Sequence, residues 1–109
     1  MPFDEKLAGR VRRLLDSQRS VEEKRMFGGL AFMVNGHMCC GVLNQDLVVR
    51  VAREEHDEAM SRPHVRPMDF TGRPMRGLLY VSPAGFRSAR DLGAWVRRSL
   101  RFVSSLPPK

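Results

Sequence analysis

Leu30-Ala31-Phe32-Met33-Val34, then Asn35-Gly36, then His37-Met38-Cys39-Cys40-Gly41-Val42-Leu43 is the stretch that decides the fold. Two apolar runs flank an Asn-Gly pair. Both central residues of a tight hairpin turn need φ > 0, and Asn-Gly meets that need at low steric cost. A β-hairpin is therefore predicted, with strands over 30–34 and His37 to Leu43. Towards the C-terminus, Asn44-Gln45-Asp46 supplies a second turn. Leu47, Val49 and Val51 then alternate with Val48 and Arg50, which predicts a third strand over 47–52 with one buried and one partly exposed face. Towards the N-terminus, Gly28-Gly29 tolerates φ > 0 and marks a bend or bulge after Met26-Phe27. Residues 22–25 are charged and read as an approach to the meander.

Helices are predicted at the two ends. Over 4–17, Leu7, Val11, Leu14 and Leu15 follow the spacing of a buried stripe, with Asp4 and Glu5 in the first turn where carboxylates suit the helix dipole. Over 88–103, Ser88 and Asp91 form a variant capping box, and Leu92, Trp95, Val96, Ser99, Leu100 and Val103 recur at helical spacing. Between meander and last helix, 53–60 is a charged stretch with room for one or two helical turns. Residues 61–73 read as irregular because Pro63 and Pro67 break pairing, Thr71-Gly72-Arg73-Pro74 reads as a turn, and 75–82 as a later strand. Strands in the middle and helices at the ends define an α+β class. The expected architecture is a central antiparallel β-sheet, a meander plus a later strand, with amphipathic N-terminal and C-terminal helices packed on one face. The whole chain, 1–109, reads as one domain with an ordered core over about 5–105 and a short C-terminal tail.

Composition narrows the partners. No apolar run reaches the roughly 18–20 residues needed to span a bilayer, and Met1-Pro2-Phe3-Asp4-Glu5-Lys6 is too polar for a signal peptide, so a cytoplasmic protein is expected. Cys39 and Cys40 are the two cysteines. Adjacent strand side chains point to opposite faces and a disulfide between them is strained, so free thiols in a reducing compartment are expected. The net charge is +7, and among the 19 cationic residues all but Lys6, Lys24 and Lys109 are arginine. Such a surface favours polyanions or acidic proteins.

Catalytic and metal chemistry find little footing. His37, His56 and His64 are scattered. His37 and Cys39 at i, i+2 give at most two ligands of a metal set, and no further cysteine pair completes it. The acidic run Glu54-Glu55-His56-Asp57-Glu58 reads as a solvated face. No catalytic, cofactor-binding or metal residues are assigned, and no cofactor is expected. The sharpest pattern lies on the last helix. At about 100° per residue, Arg87, Arg90, Arg97, Arg98 and Arg101 fall within an arc of roughly 100° opposite the apolar side. These five are the candidate polyanion-binding residues, because guanidinium forks onto phosphates and carboxylates. The alternative is a solvated face that keeps the domain soluble. Of the seven methionines, Met26, Met33, Met38, Met60, Met68 and Met75 read as core filling or as an adaptable contact surface.

Arg25-Met26-Phe27-Gly28-Gly29, the following Asn35-Gly36 hairpin with Met38, Leu47-Val48-Val49-Arg50-Val51, Leu79-Tyr80-Val81-Ser82-Pro83 and a helix with Leu92 and Trp95 occur in an order that resembles the N-terminal domain of the TfoX/Sxy family, over about residues 5–105. The resemblance implies an α+β domain with a central antiparallel sheet, no known enzymatic activity and no cofactor. It implies a role in competence-gene regulation beside a cyclic-AMP receptor-type transcription factor. Full-length members carry a second, helical C-terminal domain, which this chain is expected to lack. The expectation is a non-enzymatic regulatory module that binds a protein partner in transcription control. Direct nucleic-acid binding through the five arginines, and a small-molecule or enzymatic role for Cys39, Cys40 or His37, stand as alternatives. A homodimer is a further expectation, since an open sheet edge or face can pair with a copy of itself.

Overall fold

In the structure, a computed structural model describing residues 3–18, 20–26, 28–68 and 75–107, Asn35 and Gly36 close the hairpin with φ of 54° and 84°. They join β2 (Gly29–Val34) to β3 (His37–Leu43), and a second two-residue turn leads to β4 (Asp46–Arg50). Among the described residues the sheet has six antiparallel strands. Besides these three it contains β1 (Val21–Met26), β5 (Val65–Pro67) and β6 (Leu78–Val81), in the order β1-β2-β3-β4-β6-β5.

Two strands fall where none was expected. Residues 22–25, read as a charged approach, form most of β1, paired residue for residue with β2. Its side chains are exposed apart from half-buried Val21, so it carries no apolar alternation. β5 lies in the stretch read as irregular. Pro67 is tolerated there because β5 is an edge strand that bonds only to β6. The turn expected at Thr71-Gly72-Arg73-Pro74 lies outside the described residues, as does Phe27.

α1 (Glu5–Leu14) starts at Asp4, whose side chain accepts from the Lys6 and Leu7 N–H groups at 2.9 and 3.2 Å. It is shorter than the expected 4–17, and residues 15–17 form a turn. α2 (His56–Met60) follows a short 3-10 turn, and α3 (Ala89–Ser104) is capped by Ser88, whose Oγ accepts from the Asp91 N–H at 3.0 Å. Leu7, Val11 and Leu15 from the α1 segment and Leu92, Val96 and Val103 of α3 pack on Leu30, Phe32, Val34, Val42, Leu47, Val49, Leu79 and Val81 of the sheet. Leu14, expected in the buried stripe, is exposed. The opposite sheet face carries buried Ala31 and Val48 and half-buried Met33, Met38, Leu43 and Tyr80. Among the described residues no helix lies on that face, and none is long and apolar enough to cross a membrane.

One irregularity organises the core. Phe32 pairs with Cys40 and Met33 with Met38, so Cys39 is an extra residue in β3. The bulge reverses side-chain parity along the strand. Cys39 and Cys40 therefore both turn to the core side rather than to opposite faces, and both are fully buried free thiols. Cys40–Val49 is also the last β3–β4 pair. Beyond it the Arg50 N–H has no strand partner on β3 and donates to Ser99 Oγ of α3 at 3.0 Å. The Arg50 guanidinium fills the same gap, donating to the Met38 carbonyl at 3.2 Å and lying 5.3 Å from the Phe102 ring centre.

Ser99 is fully buried, so Ser99→Ala leaves the Arg50 N–H without its acceptor. A loss of about 1–3 kcal/mol in unfolding free energy is expected from urea denaturation, with the slope of the transition unchanged.

Candidate functional site

α3 divides into two sides. Leu92, Val96, Ser99 and Val103 face the core, while Arg90, Ala94, Arg97 and Arg101 are exposed. Of the five candidate arginines, Arg90, Arg97 and Arg101 thus share one solvent stripe. Arg87 precedes the Ser88 cap, so it is exposed but off the helix and outside its periodicity. Arg98 belongs to a different environment. Its side chain is only 13% exposed and reaches α2, donating to Glu55 at 3.3 Å and to Glu58 at a shorter distance. Its guanidinium lies 5.8 Å from the Trp95 ring centre. Its Nε is buried and, among the described residues, has no hydrogen-bond acceptor. Arg98 is a structural tie between α2 and α3.

Glu58 is held from both sides, since Arg62 Nε donates to it at 2.8 Å in an i, i+4 pair. Hydrogen bonds from Arg62 and Arg98 hold its carboxyl below the usual range. A similar tie links α2 to the turn before β6, where Arg76 donates to Asp57 through both Nη atoms at 3.3 Å and lowers its pKa. His56 is buried, and its Nδ1 accepts from the Gly77 N–H at 2.8 Å.

Between the α2–β5 connection and α3 runs a groove of about 760 Å³, lined among others by Glu58, Arg62, His64, Trp95, Arg97 and Arg101. His64 forms its rim with φ of +67°, and its carbonyl accepts from the Ser82 N–H at 2.8 Å. Gly85 closes the wall because a Cβ there would lie 2.6 Å from Val81 Cγ1. Arg97 folds back along its helix over Gly93, where a Cβ would meet its Nη1 at 2.8 Å. Glu55 and Glu58 are taken up by Arg98 and Arg62. Arg97 and Arg101, one turn apart on the groove's α3 wall, have no carboxylate partner among the described residues. The groove can therefore present two free guanidinium forks beside an indole to an anionic group.

Sequence reasoning found the arginines but not Glu58, Arg62, His64 and Trp95 as their neighbours. The Glu58/Arg62 spacing was the available signal, and it lay at the border of a stretch read as irregular.

The residues considered for reactive chemistry are engaged otherwise. His37 Nε2 donates to the Pro107 carbonyl at 2.6 Å. Cys40 lies against Cys39, and this contact, followed by burial, pushes its thiol well above the ordinary range. A neutral, enclosed thiol is a poor nucleophile. Among the described residues no three His, Cys, Asp or Glu side chains gather as a metal site would need.

A family model described as TfoX N-terminal domain matches residues 13–103. No curated protein and no solved structure matches the chain.

Two outcomes follow from this geometry. Because the pKa values of Glu58 and Asp57 are lowered by folding, each adds stability above the ordinary carboxylate range near pH 4 and loses it as pH falls through that range towards the lowered value. Urea melts of Glu58→Gln are expected to show a shallower loss of stability than wild type below about pH 5. Neither thiol is expected to react with an aromatic disulfide reagent in the native state, and both should react once urea unfolds the chain.

Proposed function

We propose, from the premise that this chain belongs to the TfoX N-terminal domain family, that it is a non-enzymatic interaction module of transcription control, working in the cytoplasm. On this reading it grips an acidic surface of a protein partner with the exposed face of α3. The observation that carries the reading is the pair Arg97 and Arg101, one helical turn apart at the edge of the groove and free of described carboxylates. The family carries no known enzymatic activity, which supports a binding role. An acidic side chain entering the groove would meet the two cations on the α3 wall, with a half-buried indole lining the same groove. Exposed guanidinium groups cost little to desolvate, and bidentate pairs with carboxylate supply both attraction and orientation.

Arg90 favours a second reading. With Arg97 and Arg101 it extends the cationic stripe to about 16 Å along the helix, long enough to follow a nucleic-acid backbone. The groove itself favours protein, because Glu55, Glu58 and Asp91 also line it and would repel a continuous run of phosphates. A protein surface can place its acidic groups selectively.

Fluorescence anisotropy with an acidic polypeptide, duplex DNA and single-stranded RNA tests both readings. The acidic polypeptide is expected to bind and to lose about tenfold or more in affinity with Arg97→Glu/Arg101→Glu, the scale of two charge-assisted contacts. If the nucleic acids bind more tightly, weaken steeply with salt and lose affinity in the same variant, the second reading holds instead. If none of the three probes binds, the α3 face is a solvated surface and the proposal fails.

A further inference from the structure

The sheet has an open edge at β1, at the opposite end of the strand order from β5. The Asn35 N–H donates to the Ser20 carbonyl at 3.0 Å, which fixes the parity of the β1–β2 ladder. Glu22, Lys24 and Met26 therefore bond inward to β2, and the N–H and C=O groups of Val21, Glu23 and Arg25 point away from the sheet. Among the described residues no element covers them. Glu22 to Met26 are all exposed, so α1 does not overhang the edge.

We propose that β1 pairs antiparallel with β1 of a second copy, about a two-fold axis at Glu23, joining two six-stranded sheets into one. A two-fold normal to the sheet keeps each face continuous, so only residues of equal parity can stand opposite one another. Three registers bring most of the strand together. They centre on Glu22, Glu23 or Lys24.

Centred on Glu23, the pairing places Val21 opposite Arg25 and Glu22 opposite Lys24, each twice, with about six backbone hydrogen bonds. The Glu22–Lys24 pairs fall at non-hydrogen-bonded positions, where side chains come closest and opposite charges attract most. The one like-charge contact, Glu23 with Glu23, falls at the wider hydrogen-bonded position. Each of these carboxylates is already countered by its own Arg12, which donates at 2.5 and 2.8 Å and lowers the Glu23 pKa. Centred on Lys24, two ammonium groups without described counterions would meet at the close position. Centred on Glu22, two carboxylates would do so. The charges that guard this edge against arbitrary strands thus select one partner and one register.

Sedimentation equilibrium over a range of concentrations tests the pairing. Wild type is expected to show a reversible monomer–dimer equilibrium. Glu22→Lys and Lys24→Glu, each placing like charges opposite, should raise the dissociation constant about tenfold. The combined Glu22→Lys/Lys24→Glu chain, which restores opposite charges in reverse, should return it to within about threefold of wild type. Arg25→Pro should abolish the dimer while leaving the far-ultraviolet circular dichroism unchanged, because the N–H it removes points away from β2 and the side chain it removes serves the fold only by lying 5.1 Å from the Phe3 ring centre. If that variant fails to fold, the charge swap decides alone. A wild type that stays monomeric to about 1 mM, single reversals without effect, or a double reversal that does not restore association would each overturn the pairing. None of these substitutions touches the α3 groove, so this inference and the proposed function stand or fall separately.

Discussion

A sheet in strict two-residue alternation would have put one of the two cysteines on each face and carried the β3–β4 ladder to its end. The extra residue at Cys39 prevents both. It turns His37, Cys39, Cys40 and Val42 to the same side, and it ends the β3–β4 ladder at Cys40–Val49. The open ladder end is a site of unpaired backbone, and burying such a group without an acceptor is costly. Ser99 supplies that acceptor from α3, and Arg50 closes the remaining space against Met38 and Phe102. The rotation and depth of α3 are set there. Since α3 carries one wall of the groove, the position of Arg97 and Arg101 also depends on a single inserted residue some sixty positions earlier in the chain.

α2 is held in two different ways. Ala59 and Met60 pack on the core, and the buried His56 satisfies the Gly77 N–H. Its ion pairs with Arg62, Arg76 and Arg98 lie largely at the surface, where solvent and salt leave each worth little. Arg98 is the exception in burial, with two carboxylates on one guanidinium and a Nε that none of the described residues satisfies. Packing therefore holds α2, and the charges fix where its carboxylates point. Glu55 and Glu58 are directed to Arg98, which leaves the exposed face of α3 cationic.

The parts of this fold that were legible in the sequence are those with local causes. Asn35-Gly36 needs positive φ at both positions, and Ser88 and Asp4 are caps with characteristic neighbours. The α+β class followed from these signals and from the spacing of Leu92, Val96 and Val103. β1 was missed because Val21-Glu22-Glu23-Lys24-Arg25-Met26 is wet on both faces. Its strand character comes from pairing with β2, which no local pattern records. β5 is not legible in the sequence because Pro67 reads as a breaker, and only the pairing with β6 turns its nitrogen to the outer edge. The bulge at Cys39 left no trace in composition. In the site, helical periodicity located Arg90, Arg97 and Arg101. It could not separate Arg98 from them, because the carboxylates that claim it arrive from 40 residues or more away in the chain.

The hydrogen bond from His37 to the Pro107 carbonyl joins the tip of the β2–β3 hairpin to the segment that leaves α3. Tension applied at that segment would reach the centre of the sheet directly, without first unwinding the helix. The contact is a fastening between the exit of the chain and its most deeply embedded hairpin.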